Sequence, residues 1–265
     1  MRGRNSVLLV TDADNTLWDT NSVYAKAQLN LLSQIEAKSG YSCRAIERLS
    51  FVRDLDQRLA LNHELRLRYP PLLLVAAIGS RLRGCSPERA AEEALRLRDT
   101  SYIAERFRGN LAEFEDQISN DIPVLRPGVL DFFRQFDGRS MSLIVATETP
   151  ALRCDLILRH YGLNPFVQET ISGSKTPAFY RGIAARYIPR MSFSVGDQLD
   201  RDIAPAKEAG FRTIHFPCEF VPFWTLSQPA VAPDFRVTSY AEVGSIVSVA
   251  LREFSSLKPN RCSSK

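Results

Sequence analysis

The feature that most constrains this chain is the distribution of its short runs typical of strands. One run stands near the start of the chain and four more follow residue 123, at positions 6–11, 142–146, 192–195, 211–216 and 235–238. Each run has the length of a buried strand, and helical patterns fill the sequence between the later runs. Strands that alternate with helices predict an α/β fold, in which a parallel sheet is covered by helices on both faces.

The segment from about residue 21 to residue 120 has a different character. Leu, Ala, Arg and Glu dominate it, and apolar residues recur at the three-to-four spacing of a helix, as at Ile46, Leu49, Val52, Leu55 and Leu59. This pattern predicts a helical block inserted after the first strand. The last residues of the chain, 255–265, are predicted to be disordered because chain ends often are.

Composition excludes several classes of function. The net charge is only +4, and basic residues are interleaved with acidic ones, so no basic block indicates nucleic-acid binding. The longest apolar run, 72–78, is too short to span a bilayer. Five dispersed cysteines without a CxxC pair argue against a disulfide framework and a zinc site, and the three histidines share no metal-ligand spacing. We therefore expect a soluble, cytoplasmic protein.

Acidic residues follow two of the predicted strands. Asp12 and Asp14 come directly after the first strand, while Asp197 and Asp202 follow the strand at 192–195. Carboxylate oxygens are ligands for a hard cation such as Mg²⁺. Taken alone, each pair has an ordinary explanation, as a surface turn or as acids at the start of a helix. In parallel sheets, however, ligands bind where the strands end.

Two further segments offer contacts for an anion. Thr147 ends the strand at 142–146, and Thr149 is expected to cap the following helix, with Pro150 at its first position. A hydroxyl beside free backbone N–H groups can form an anion site. Lys175 lies in a loop before another helix and could neutralise a phosphate. Alone, plain capping and a solvated lysine would explain both segments.

Taken together, the order and positions of these segments resemble the four motifs of the haloacid dehalogenase (HAD) superfamily. Motif one resembles residues 12–16, motif two Thr147, motif three Lys175 and motif four residues 196–202, with supporting similarity at 125–129 and 202–210. The resemblance covers roughly residues 6–18 and 123–245. It implies a Rossmann-like parallel-sheet core, formed by 1–18 and 123–265, with an all-helical cap domain at 19–122.

The resemblance also implies a catalytic scheme. Asp12 would attack phosphorus and form an aspartyl phosphate. Asp14 would protonate the leaving group and then activate the attacking water. Mg²⁺ would be held by the Asp12 carboxylate, the backbone carbonyl of Asp14 and Asp197, with Asp202 in support. Since phosphoryl transfer depends mainly on positioning and charge neutralisation, these residue types suit that chemistry.

Substrate binding would fall to Thr147 and Lys175, which would hold the phosphoryl oxygens, and to Glu148 beside them. Glu148 departs from the family pattern, because a neutral residue is more usual there and a carboxylate opposes phosphate unless it points away. Asn15 stands where the family most often has Gly, and Asn tolerates unusual backbone angles. Trp18 is expected either to pack in the core or to face the substrate.

The expected function is therefore Mg²⁺-dependent hydrolysis of a small phosphate monoester. A phosphotransferase or phosphomutase would use the same residues with a different acceptor, and a non-catalytic phosphate-binding module remains a further alternative. Dehalogenation is disfavoured, because in this superfamily it does not use a second motif-one Asp such as Asp14. The expected partner is a small phosphorylated molecule, without nucleic acid or membrane, and the sequence leaves the oligomeric state open.

Overall fold

The computed structural model describes residues 7–223 and 231–256, with side chains as far as residue 252. In these residues a six-stranded sheet has the order β3-β2-β1-β4-β5-β6, and every neighbouring pair is parallel. The strands are β1 (Val7–Thr11), β2 (Met141–Thr147), β3 (Glu169–Ser172), β4 (Met191–Gly196), β5 (Arg212–His215) and β6 (Phe235–Arg236). The predicted α/β fold with a parallel sheet is confirmed.

Helices cover both faces of this sheet because side chains alternate along each strand. Five helices take part, namely α6 (Val129–Arg134), α7 (Ala151–His160), α8 (Pro177–Tyr187), α9 (Ala204–Glu208) and α10 (Ala241–Ser256). On one face Val7 and Leu9 pack in an apolar core with α6, α7 and α10. On the other face Leu8 and Val10 pack with α8 and α9.

The strand register brings the ends of β1, β2 and β4 to one edge of the sheet. Thr11, the last residue of β1, lies opposite Val145 of β2 and Val195 of β4. Because all three strands run in the same direction, the segments that follow them emerge side by side. This edge carries the acidic and polar residues that the sequence singles out.

The strand β3 is absent from the sequence prediction. It has four residues, Glu169–Ser172, and none of them is fully buried. It pairs only with β2 at one border of the sheet. A short edge strand that is partly exposed and mostly polar lacks the apolar run by which the inner strands are recognised.

The chain divides into two compact units. One contains the sheet and comprises Met1–Thr20, Pro123–Glu219 and Pro229–Lys265; the other comprises Asn21–Ile122 and Phe220–Gln228, as far as these ranges are described. The second unit has its own apolar core, which includes Leu31, Leu55 and Ile78. Its helices are α1 (Thr20–Ser39), α2 (Arg48–Asn62), α3 (Pro71–Leu82), α4 (Pro87–Leu95) and α5 (Ser101–Asn120).

A later segment of chain joins this helical unit, which the sequence does not indicate. The side chain of Gln57 on α2 donates to the carbonyl of Val221 over 3.2 Å and accepts from the backbone N–H of Phe223 over 2.8 Å. One side chain thereby satisfies two backbone groups of a segment more than 160 residues away in the sequence. Such long-range hydrogen bonds leave no local pattern.

None of the described helices is both long and apolar enough to pass through a bilayer. The predicted disorder of 255–265 falls mostly outside the described residues, although α10 continues to Ser256.

Candidate active site

Asp12 is the first residue beyond β1. Its backbone N–H donates to the carbonyl of Val195 over 2.8 Å, which continues the pairing of β1 with β4 and fixes the start of the loop. The residue is buried, with 7% of its surface exposed. Its Oδ1 accepts from the ammonium of Lys175, whereas Oδ2 is buried without a hydrogen-bond partner among the described residues. A buried carboxylate oxygen without a partner is rare in folded proteins and calls for a ligand.

Lys175 lies in the loop between β3 and α8, and its side chain is buried rather than solvated. Its ammonium also donates to Oδ1 of Asp202 over 2.6 Å. Burial by itself would lower the pKa of Lys175, but the charges of Asp12 and Asp202 outweigh this and hold it well above its ordinary value. Lys175 therefore stays protonated between two carboxylates.

Asp202 ends up next to Asp12 because of the turn that follows β4. A single π-helical turn, Leu199–Ile203, folds the chain back so that Oδ2 of Asp202 accepts from the backbone N–H of Gln198 over 3.0 Å. A Cβ on Gly196 would overlap the Asp202 side chain. The turn thus needs glycine at 196, because the carboxyl group of Asp202 lies against the backbone.

Asp197 has two partners from the end of β5 and the segment that follows it. Its Oδ2 lies 3.1 Å from Sγ of Cys218, which donates to it, and its backbone carbonyl lies 2.9 Å from Nε2 of His215. Burial lowers the pKa of His215, which favours the neutral ring. Neither residue has a metal-ligand spacing in the sequence, and both act on Asp197 rather than as isolated ligands. Their position at or just after a strand end was the available signal.

The three carboxylates form a group suited to a cation. Oxygens of Asp12, Asp197 and Asp202 all lie within 4.8 Å of one another, and all three side chains are buried. Lys175 is the one cation paired with them among the described residues, so two negative charges remain uncompensated when all three are ionised. Clustered carboxylate oxygens match the ligand preference of Mg²⁺, and the unpartnered Oδ2 of Asp12 fits a metal ligand or a nucleophile.

The pKa values of two of these carboxylates reflect the excess of negative charge. The pKa of Asp12 is raised to about 7, mainly by burial; the charge of Lys175 opposes this rise, and the charges of Asp202 and Asp14 add to it. Burial, followed by the charges of Asp12 and Asp202, also raises the pKa of Asp197 well above its ordinary value. Like charges that share a buried site disfavour ionisation unless a cation intervenes. A bound divalent ion would remove the cause of both shifts.

Asp14 does not belong to this cluster of side chains, because three donors hold its carboxylate. Oδ1 accepts from Nε1 of Trp18 over 3.1 Å and from the hydroxyl of Thr20 over 2.6 Å, and Oδ2 accepts from the hydroxyl of Thr149 over 2.6 Å. The predicted metal contact through the Asp14 carbonyl remains a prediction. Trp18 is buried and at the same time hydrogen-bonded to a site residue.

The contact to Asp14 corrects the prediction for Thr149. Pro150, not Thr149, occupies the N-cap position of α7, and no side chain caps this helix. The hydroxyl of Thr149 is directed to Asp14 instead, while its backbone N–H donates to Oγ1 of Thr147 over 3.0 Å. Thr147 is fully buried at the end of β2. Its expected contact with phosphoryl oxygens stays a prediction.

Glu148 forms an ion pair with Arg201. The guanidinium belongs to the π-helical turn that also carries Asp202. The negative charge of Glu148, which would otherwise oppose a phosphate, is therefore neutralised within the protein. The sequence prediction did not include Arg201. The available signal was a basic residue between two acids, Asp200 and Asp202, of motif four.

A further overlooked residue, Arg126, fixes the loop after Asp12. Its guanidinium donates to the backbone carbonyls of Asn15, Phe216 and Pro217. It also lies 3.6 Å from the centre of the Phe216 ring. Asn15 has a φ of 57°, in the left-handed region that Asn tolerates better than most residues. Arg126 thus joins the loop of Asp12 to the segment that carries Cys218.

Comparison with known proteins bears on the fold. No protein-family model and no curated protein matches the chain. Solved structures do match. The HAD-hydrolase YfnB from Bacillus subtilis, bound to magnesium, is 17% identical with a TM-score of 0.56, and the match covers 92% of this chain and 99% of that one.

Two other solved structures are similar to the same extent. A predicted phosphoglycolate phosphatase from Haemophilus somnus is 15% identical with a TM-score of 0.58, covering 92% of this chain and 98% of that one. The L-2-haloacid dehalogenase from Xanthobacter autotrophicus is 16% identical with a TM-score of 0.53, covering 91% of this chain and 98% of that one. At identities this low, the structural match establishes a common architecture but not a common reaction. The chain therefore has the fold of the haloacid dehalogenase superfamily hydrolases, which its four sequence segments predict.

Proposed function

We propose that this protein is a Mg²⁺-dependent phosphatase that hydrolyses a small phosphate monoester through an aspartyl phosphate on Asp12. One observation carries the proposal: the buried oxygens of Asp12, Asp197 and Asp202 lie within 4.8 Å of one another, with Lys175 bonded to two of these carboxylates. Such a site is short of positive charge. Without a cation, the carboxylates would repel a phosphate dianion. A divalent cation that enters with the phosphate makes its binding far more favourable.

In the proposed first step, a carboxylate oxygen of Asp12 bonds to phosphorus while the bond from phosphorus to the ester oxygen breaks. Asp14 gives its proton to that departing oxygen. In the second step Asp14 takes a proton from water as the water oxygen bonds to phosphorus, and the Asp12 carboxylate and inorganic phosphate are released. The three donors to Asp14 would hold it in one orientation for both transfers.

The remaining residues would bind and neutralise. The carboxylates of Asp12, Asp197 and Asp202, with the carbonyl of Asp14, are the groups that would hold Mg²⁺. When bound, the ion would supply the charge that lets a carboxylate approach a phosphate. Lys175 would bind a phosphoryl oxygen as a fixed positive charge, because its protonated state is held by two neighbouring acids. Thr147, at the end of β2, would donate to another phosphoryl oxygen.

Asp14 also supports phosphate chemistry over dehalogenation, the reaction named for the Xanthobacter autotrophicus neighbour. A halide departs as a stable anion and needs no proton, whereas an alkoxide leaving group needs one badly. A second acid, fixed by three donors beside the proposed nucleophile, has a task in ester cleavage and none in halide release. A phosphotransferase or phosphomutase would use these residues equally well and differs only in its acceptor.

The test is the hydrolysis of an aryl phosphate with Mg²⁺ and with a chelator. We expect turnover with Mg²⁺, its loss in chelator and its recovery on adding the metal back. Asp12→Asn should abolish turnover, whereas Asp131→Asn, an exposed aspartate on α6, should not. Adding an alcohol distinguishes transfer from hydrolysis, and halide release from a 2-haloacid tests dehalogenation. Equal rates with and without chelator would refute the metal's role.

A further inference from the structure

The ion pair between Glu148 and Arg201 lies on the sheet edge that carries the candidate site. Glu148 directly follows Thr147, the last residue of β2, and Arg201 directly precedes Asp202 in the turn after β4. The two side chains are about one quarter exposed, with 29% for Arg201 and 26% for Glu148. They are therefore neither in the core nor free in solvent.

The sheet order determines where this pair lies. β1 is the strand between β2 and β4, so residues that join the ends of β2 and β4 must cross the end of β1. Adjacent strands are about 4.8 Å apart, which separates the ends of β2 and β4 by roughly 10 Å. Asp12 begins at the end of β1. The pair consequently bridges the edge of the sheet at which the proposed nucleophile emerges.

Arg201 also has binding capacity left over. A guanidinium has five N–H donors, and within the described residues Arg201 uses one nitrogen, for Glu148. Its partial exposure keeps the other donors accessible. A planar guanidinium binds the oxygens of a carboxylate or a phosphate in pairs, which gives orientation as well as attraction. Glu148 limits the freedom of the side chain, so less freedom would be lost on binding.

We propose that Arg201 is a specificity-determining residue, which binds a second anionic group of the substrate beside the phosphoryl group, and that Glu148 positions its guanidinium. The preferred substrates would then be small phosphate monoesters that carry a further oxyanion, such as a carboxylate. This inference rests on the proposed phosphatase function. It assigns Glu148 an indirect role, through Arg201, in place of the direct substrate contact expected from the sequence.

Two phosphonates of similar size test the proposal, because neither has an ester bond to cleave. Phosphonoacetate carries a carboxylate where ethylphosphonate carries a methyl group. Their dissociation constants are to be measured by calorimetry at one fixed Mg²⁺ concentration. The variants are Arg201→Gln and the double variant Glu148→Gln/Arg201→Gln, which removes both charges of the pair. Arg186→Gln, which breaks the exposed pair with Glu169 on the same unit, is the matched control.

We expect the wild type to bind phosphonoacetate at least tenfold more tightly than ethylphosphonate, the order of magnitude of one charge-assisted hydrogen bond. Arg201→Gln should weaken both ligands, since the negative charge of Glu148 then loses its neutralising guanidinium. The double variant should regain ethylphosphonate binding without regaining the preference for phosphonoacetate. Arg186→Gln should keep that preference. A double variant that retains the preference, or a wild type that shows none, overturns the proposal. If the wild type binds neither phosphonate, the phosphate site itself is wrong and the inference falls with it.

Discussion

Replacing Asp12 with Asn should stabilise the metal-free protein although it destroys the proposed nucleophile. The Asp12 carboxylate is buried beside Asp202, and its pKa is raised to about 7, mainly by burial. A carboxyl group with a raised folded-state pKa contributes most to stability below its ordinary pKa. That contribution is lost as the pH rises from about 4 to about 7. The amide of the variant is neutral over this whole range, so the variant avoids this loss.

The magnitude follows from the two pKa values. Each tenfold change in proton affinity corresponds to about 1.4 kcal/mol, so a rise from 3.8 to about 7 destabilises the ionised form by up to about 4 kcal/mol. Asp12→Asn should recover a large part of this at pH 8 and only a fraction at pH 5. For a protein of this size the gain corresponds to an increase in Tm on the order of 10 °C. Lys175 keeps Asp202 as a partner in the variant.

Scanning calorimetry in chelator at pH 5 and pH 8 measures this effect, with Asp131→Asn as the control for loss of an exposed charge. Mg²⁺ should then narrow the difference, because a ligand at 100 times its Kd stabilises the wild type by about 2.7 kcal/mol and the neutral Asn side chain of the variant is a weaker metal ligand than a carboxylate. A metal-free variant that is no more stable than the wild type at pH 8, or a gain that is the same at both pH values, would refute the reasoning.

Three further predictions concern the residues around the nucleophile. In Asp14→Asn, an alkyl phosphate should phosphorylate the enzyme about 10² to 10⁴ times more slowly, whereas an aryl phosphate should do so only mildly more slowly. With the aryl ester, phosphoenzyme should accumulate and appear as a product burst in rapid-quench kinetics. Equal losses for both esters would contradict the proposed proton transfer. Thr149→Val removes a 2.6 Å hydrogen bond to Asp14 and should lower kcat roughly tenfold. Thr149→Ser should retain kcat, and a similar loss in both variants would indicate a packing role. Gly196→Ala forces a Cβ into Asp202 and should weaken Mg²⁺ binding at least tenfold by calorimetry, whereas Gly182→Ala, with open space at its Cβ, should leave it unchanged.

The sequence by itself determined most of the core unit. Short apolar runs separated by helical patterns specify a parallel sheet, since only such strands bury both faces, and β1, β2 and β4 lie where these runs predict. The positions of Asp12, Thr147 and Asp197 at or just after the ends of those strands follow directly, because the ends of parallel strands share one edge. Lys175 was recognisable only by its place in the order of motifs, and the structure brings its ammonium to Asp12.

Only the tertiary structure decided which side chains act on one another across that edge. The contact of Thr149 with Asp14 spans 135 residues, and Arg201 meets Glu148 across 53. A local pattern predicts capping for Thr149 because the next helix is its nearest neighbour in sequence, yet the hydroxyl satisfies a distant carboxylate. Likewise, glycine at 196 follows from the close approach of Asp202. Local sequence sets backbone conformation and burial, whereas hydrogen bonds between side chains on separate strands depend on distances that exist only once the sheet has assembled.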